Sequence, residues 1–320
     1  MRNKKTILIT GGAGFIGSAL IRHIIKNTQH TVVNVDKLTY SGNLQSLESI
    51  EASKNYIFEQ VDICDENELL RVYRKNQPDI VIHLAAVSHA DRSNKDPHST
   101  FDHSLRTLEN ALDNAKNTIT FKYSVDHFIF LSSSMVYGHF KKPVVTEDTI
   151  CEPIGIYGAL KYGGEKLVIS YNQVFDLPYT IIRPSALYGE RCVSRRVGQI
   201  FIENALTGKE ITLNGDGSDR LDFTYVGDLV RGIQNVIEND NSKNQTFNLT
   251  YGEGRSLADM ANIMKEHFPN LEITYEPKDE LTPDRGTLSV EKAKELIGYN
   301  PQFPLEKGYV NYITWYKEFY

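Results

Sequence analysis

The segment Thr6-Ile-Leu-Ile-Thr-Gly-Gly-Ala-Gly-Phe-Ile-Gly17 permits few backbones, because glycines at 11, 14 and 17 fall between a β-branched run and a helical pattern. Thr6 to Thr10 reads as a buried strand, and Phe15, Ile16, Ala19, Leu20, His23 and Ile24 then recur at helical spacing. Gly11 lets the chain turn sharply out of the strand. Gly14 lets backbone N–H groups approach a bound pyrophosphate, and Gly17 lets the helix lie close on the sheet. The helix N-terminus then faces the phosphate charge. A glycine triplet alone is a weak signal, but here a second apolar run, Thr31 to Val35, follows the helix and delivers Asp36. A carboxylate at that point accepts both hydroxyls of an adenosine ribose and repels a 2′-phosphate, so the pattern predicts NAD rather than NADP.

Strand-like runs at 6–10, 31–35, 56–61, 79–84, 126–132 and 179–183 alternate with helical patterns. That alternation predicts an α/β fold with a Rossmann-like, doubly wound parallel sheet. Ligands of such sheets sit beyond the carboxyl ends of the strands. Here those ends are Thr10, Asp36, Asp62, Leu84-Ala85-Ala86 and Ser132-Ser133-Ser134. Pro184 stops the sixth run, and helices are expected near 195–207, 227–238, 256–267, 289–297 and 305–318. The expected division is a dinucleotide-binding domain over 1–185, with parts of 222–250 packed back on it. A smaller, mixed α/β domain for the second ligand would cover 186–320.

At 320 residues the chain is long enough for a full core. Its net charge of -6 argues against a nucleic-acid surface. No apolar run approaches the length that spans a bilayer, and no signal h-region precedes the first strand, so a soluble, cytoplasmic protein is expected. Cys64, Cys151 and Cys192 are too scattered for a disulfide framework or a zinc site. Histidines 83, 89, 98 and 103 repeat no metal-ligand spacing, so no metal is expected.

Tyr157-Gly-Ala-Leu-Lys161 is the second chemical signal. Residues four apart share a helix face, so the ammonium should lie near the phenol and favour phenolate. A tyrosine tuned in that way takes a proton from a sugar or alcohol hydroxyl while hydride leaves the same carbon. Ser133, at the end of the preceding strand, offers a hydroxyl to hold the substrate oxygen. Tyr-x-x-x-Lys is common by chance, and it is the glycine turn that gives it weight here.

With these motifs the chain resembles the extended short-chain dehydrogenases/reductases, the nucleotide-sugar epimerases and dehydratases, over almost its whole length. Its N-terminal half is most similar to dTDP-glucose 4,6-dehydratases, through Val33-Asn-Val-Asp-Lys-Leu-Thr-Tyr-Ser-Gly-Asn43, Val61-Asp-Ile-Cys-Asp65 and His83-Leu-Ala-Ala-Val-Ser-His-Ala-Asp-Arg-Ser93. The resemblance implies that Phe15 and Ile16 join the glycines around the pyrophosphate. Asp36, Lys37, Leu38, Thr39, Ser41 and Gly42 would surround the adenosine ribose and phosphate, and Asp62 and Ile63 the adenine. It places Leu84, Ala85, Ala86 and Ser88 at the inner phosphates and nicotinamide ribose. It makes Tyr157 the base, Lys161 the ribose ligand and Ser133 the hydroxyl partner, and it implies a homodimer built on helices around 98–116 and 156–175.

The chain departs from the dehydratase pattern at a decisive place. Where those enzymes carry Thr-Asp-Glu before Val136-Tyr137-Gly138, it reads Ser133-Ser134-Met135. Loss of water across sugar C5 and C6 needs a base and an acid, and Met135 can be neither. Oxidation at sugar C4 by NAD remains, with a 4-epimerase or a 4-dehydrogenase as the net outcome. A 4,6-dehydratase is the alternative reading, and a non-catalytic NAD or nucleotide-sugar sensor is one of another class. The family's Asn-x-x-Gly-Thr helix segment appears as Ser104-Leu-Arg-Thr-Leu108, and its Asn after Arg-Pro is Ala186. For a substrate diphosphate of UDP, dTDP or GDP the basic candidates are Arg195-Arg196, Arg220 and Arg285, with Ser88, Ser133 and Ser134 beside the sugar. Leu187 to Arg196 also resembles a loop of GDP-mannose dehydratases. Tyr137 and Tyr225 are candidates for the cleft wall.

Overall fold

A computed structural model describes residues 4–88, 90–116, 125–192, 195–277 and 283–319. Seven strands build one sheet: β1 (Thr6–Thr10), β2 (Thr31–Asp36), β3 (Tyr56–Gln60), β4 (Ile80–His83), β5 (His127–Leu131), β6 (Tyr179–Arg183) and β7 (Gln245–Asn248). Their order across the sheet is β7-β6-β5-β4-β1-β2-β3, and every neighbouring pair is parallel. The order reverses between β1 and β4, where the connections leave towards opposite sides and open a crevice beyond the strand ends.

The long helices are α1 (Phe15–Asn27), α2 (Glu66–Asn76), α3 (Thr107–Lys116), α4 (Gly155–Phe175), α5 (Val197–Leu206), α6 (Val226–Glu238), α7 (Leu257–His267), α8 (Glu291–Ile297) and α9 (Leu305–Phe319). Side chains alternate across a strand, and β1 distributes its residues accordingly. Ile7 and Ile9 enter a core with Leu20 and Ile24 of α1 and Leu229 and Ile233 of α6. Leu8 enters the opposite core with Val72 of α2, Leu108 and Leu112 of α3 and Val168 of α4. Both faces are therefore covered, as a parallel sheet requires.

The strand and helix patterns match these elements within one or two residues, with two exceptions. β7 is an additional strand: Gln245-Thr-Phe-Asn248 is short and half polar, so periodicity gives no sign of it, and pairing with β6 decides it. The helix expected around 98–116 is interrupted, because Asp102–Arg106 forms a π-helical turn between Pro97–Phe101 and α3. The chain thus leaves the sheet after β6 and returns through α6 and β7, α6 packing against α1.

A buried polar network sits behind the ends of β5 and β6. Arg183 donates to Glu165 of α4 through Nε (2.9 Å) and Nη2 (2.7 Å) and to the Tyr137 hydroxyl through Nη1 (2.9 Å). Glu165 also accepts from Ser132 Oγ at 2.5 Å, and Tyr137 donates to Asn248 of β7 at 2.8 Å. One ion pair thereby ties three strands, α4 and the turn after β5 together.

Candidate active site

The glycine turn is built as tightly as the sequence suggests. Gly11 has φ +70°, and a Cβ there would meet Ala85 N at 2.9 Å. At Gly17 a Cβ would lie 2.3 Å from Gly11 O and 2.6 Å from Gly12 Cα, both backbone atoms that cannot yield. Gly12, outside the glycine triplet, is crowded by side chains instead: a Cβ there would meet Asn34 Oδ1 at 2.1 Å and Ile21 Cδ1 at 2.7 Å. Gly17→Ala is therefore expected to cost about 1–3 kcal/mol of stability and to weaken NAD binding roughly ten-fold or more. Gly163→Ala, whose Cβ meets nothing nearer than Leu105 Cδ1 at 3.9 Å, is the control. Equal NAD affinity for the two variants in a fluorescence titration would contradict this account of the turn.

Asp36 ends β2 inside the crevice, and its carboxylate accepts from Ala13 N (2.9 Å) and Leu38 N (2.8 Å). Each oxygen keeps a further lone pair for a ligand hydroxyl. Asp62 is held by Lys37 (3.0 Å) and Cys64 N (3.0 Å), which lower its pKa against the opposing effect of burial. Thr10 Oγ1 accepts from Leu84 N and Ala85 N, fixing the turn after β4 over the glycines.

A cavity of about 360 Å³ lies among these groups. Gly11, Gly14, Phe15, Ile16, Gly17, Asp36, Lys37, Thr39, Ser41, Asp62, Ile63, Leu84, Ala85, Ala86 and Ser88 all line it. Leu38 and Gly42 do not. They close the loop behind the wall, Leu38 with φ +59° and Gly42 N donating to Thr39 O at 3.0 Å. Ser99, His103 and Thr107 are lining residues that the motif reading missed. Their spacing of four was a visible signal, and the π-helical turn lies within it.

A second cavity of about 670 Å³ continues from the first and shares Ile16, Leu84, Ala86, Ser88 and Arg196 with it. Ser133, Ser134, Tyr157, Lys161, Arg195 and Arg285 line it. Ser133 caps the short helical turn Ser134–Tyr137, its Oγ accepting from Met135 N at 3.2 Å. That bond aims the hydroxyl proton away from the turn, and Tyr157 lines the same cavity as Ser133. Gly158 lets α4 lie close to that turn, because a Cβ there would meet Met135 O at 2.8 Å.

Burial raises the Tyr157 pKa, and Arg196, Ser133 and Arg285 oppose it in that order. This corrects the expectation from spacing. Lys161 is on the same helix, but its stem reaches down to β5, where Nζ donates to Leu131 O at 2.7 Å. Burial pulls its pKa down to about 8, with Glu165 resisting. The cations acting on the phenol come from the C-terminal part of the chain.

Arg220 is a second correction. It is exposed, hydrogen-bonds Gly254 O and does not line either cavity, whereas its neighbour Leu221 lines the second. Arg220 is exposed at the start of the short strand Arg220–Asp222, and half-buried Leu221 faces the second cavity in its place. Tyr137 is spent in the Arg183 network and Tyr225 donates to Glu190 at 2.6 Å, while Tyr188 takes a place in the wall. His83 is buried with Nδ1 3.0 Å from Thr10 Oγ1, and His89 lies outside the described residues. Among the described residues no His, Cys, Asp and Glu cluster suited to a metal ion occurs, and no helix is long and apolar enough to cross a membrane.

The model of the NAD dependent epimerase/dehydratase family matches residues 7–250. A dTDP-glucose 4,6-dehydratase of Escherichia coli (strain K12) is 34% identical, over 97% of this chain and 92% of its own. Among solved structures, UDP-glucose 4-epimerase of Thermotoga maritima with UDP-glucose superposes with a TM-score of 0.89 at 31% identity, covering 98% of this chain and 99% of that one. UDP-glucuronic acid 4-epimerase of Bacillus cereus, in complex with UDP-glucuronic acid and NAD, gives a TM-score of 0.89 at 29% identity and covers 98% and 100%.

Proposed function

The chain belongs to the NAD dependent epimerase/dehydratase family, and from that premise we propose that it carries out oxidoreduction at C4 of a nucleotide-linked sugar, as a 4-epimerase or a 4-dehydrogenase. The cofactor is NAD. The glycine cradle leaves no room for a Cβ at the helix start, and the Asp36 carboxylate is placed for ribose hydroxyls, so the residues present fit it. When bound, it supplies the acceptor for hydride from sugar C4. Lys161 keeps ammonium protons beyond its bond to Leu131 O, which suit a ribose hydroxyl.

The observation that carries the reading is that Ser133 and Tyr157 line one cavity together, beside Ser134 and Met135. Ser133 bonds the C4 oxygen and the phenolate of Tyr157 takes its proton, leaving a 4-ketone. In a 4-epimerase the ketone would turn over, take the hydride back at C4 on its other face and receive its proton from Tyr157; in a 4-dehydrogenase the ketone would leave, the hydride staying on the cofactor. Elimination of water would need a further acid and base at C5 and C6. Asp91, an exposed residue, is the one carboxylate among the described residues lining this cavity. Each missing group is worth about 10²–10⁴ in rate. Mass spectrometry of UDP-, dTDP- and GDP-linked sugars after incubation with the protein and NAD, with chromatography that separates epimers, tests the reading. A new peak of unchanged mass identifies a 4-epimerase and loss of two hydrogens a 4-dehydrogenase. Loss of water at ordinary turnover identifies a dehydratase and defeats the proposal.

The homodimer belongs to the same proposal, through α3 and α4. Exposed Phe101, Val174 and Phe175 lie on or beside those helices and support it. Light scattering that reads a stable monomer would reject it.

A further inference from the structure

We infer that the sugar handled in this site carries a carboxylate as its C6, a nucleotide-linked hexuronate, and that Arg285 grips that carboxylate. The inference rests on the C4 reading above for the orientation of the ring. Ser133 and Tyr157 fix where the C4 oxygen lies. C6 is attached to the carbon next to C4, whereas the diphosphate hangs from C1 on the far side of the ring. A group that flanks Ser133 and Tyr157 therefore meets the C6 substituent before it meets the diphosphate.

Arg285 is such a group. Its Nη1 donates to Ser134 Oγ at 3.3 Å, and its Nη2 rests on Met135 Sδ. A thioether is a weak acceptor, so the guanidinium fork is poorly satisfied there. No carboxylate among the described residues pairs with Arg285, and burial pulls its pKa down to about 10, the Tyr157 phenol opposing and Arg196 adding to the shift. Arg196 acts on the same phenol, so two like charges face one desolvated region. A ligand carboxylate meets both requirements. It accepts two parallel N–H bonds from the fork and offsets the repulsion between the arginines. A neutral hydroxymethyl group would leave most of the fork unpaired, and a site built in that way discriminates against the analogue lacking the partner. Ser134 and Met135 complete the argument. An acidic residue in either place would neutralise Arg285 internally and repel the substrate.

The test is the affinity of the NAD-loaded protein for matched ligands, UDP-glucuronic acid against UDP-glucose and GDP-mannuronic acid against GDP-mannose, by calorimetry. The hexuronate is expected to bind about 10- to 100-fold more tightly in one nucleotide series, as a charge-assisted pair warrants. Arg285→Gln should remove that difference. Ser134→Asp, which places a carboxylate against Arg285 without removing the arginine, should remove it too. No preference in either series, no binding in either, or a preference that survives both substitutions overturns the inference. So does an equal loss for hexose and hexuronate in Arg285→Gln, which would assign Arg285 to the diphosphate. Tight, Arg285-dependent hexuronate binding without oxidation would instead uphold the carboxylate site and defeat the C4 reading. Oxidation of both sugars bound with equal affinity would do the reverse.

Discussion

Tyr157→Phe is expected to lower kcat by about 10²–10⁴-fold, the usual worth of a positioned proton acceptor, while NAD affinity changes little. The substitution removes one oxygen and leaves the ring, α4 and the glycine cradle in place. Burial holds the wild-type phenol above its ordinary pKa, against Arg196, Ser133 and Arg285. Oxidation needs phenolate, so kcat/KM in that direction should rise with pH towards the phenol pKa of the free enzyme. Ser133→Ala removes a hydroxyl that opposes the effect of burial on the phenol and should shift this limb to higher pH. Two results would count against the assignment. A Tyr157→Phe variant with normal turnover would place the base elsewhere, and a wild-type protein that binds NAD and sugar but never turns over would be the sensor of the second reading.

Arg183→Met should destabilise the protein by about 3–5 kcal/mol, because it leaves the Glu165 carboxylate buried without its guanidinium partner. Glu165 is 1% exposed and Arg183 7%, so water cannot replace the lost bonds. The double substitution Glu165→Leu with Arg183→Met removes both charges and should recover most of that loss. Urea midpoints of the two single variants and the double variant measure the coupling directly. A loss below about 1 kcal/mol in Arg183→Met would place the pair with weak, solvent-screened surface bridges. The network also reaches the site. Ser132 Oγ bonds Glu165 and lies next to Ser133, so Arg183→Met is expected to lower kcat as well as stability, through a displaced Ser133.

The residues that were legible in the sequence are those whose role is set by neighbours along the chain. Gly11, Gly14 and Gly17 declare a turn because a strand and a helix flank them, and Asp36 falls in the cavity wall because a strand ends there. Ser133 and Tyr157 were legible as residue types on a strand end and a helix. Lys161 shows the limit of that reasoning. Spacing of four gives a shared helix face, but a long stem chooses its own partner, and here it is Leu131 O.

The sequence by itself determined the parallel sheet, the glycine turn and the candidates for the proposed proton transfer, because each follows from local periodicity, backbone freedom or side-chain chemistry. The tertiary structure alone decided which charges surround the phenol. Arg196 and Arg285 are separated from Tyr157 by 39 and 128 residues in the chain, and Arg220, as plausible by composition, points to solvent. An electrostatic field depends on distance through space and on exclusion of water, and neither is encoded at any one position in the sequence.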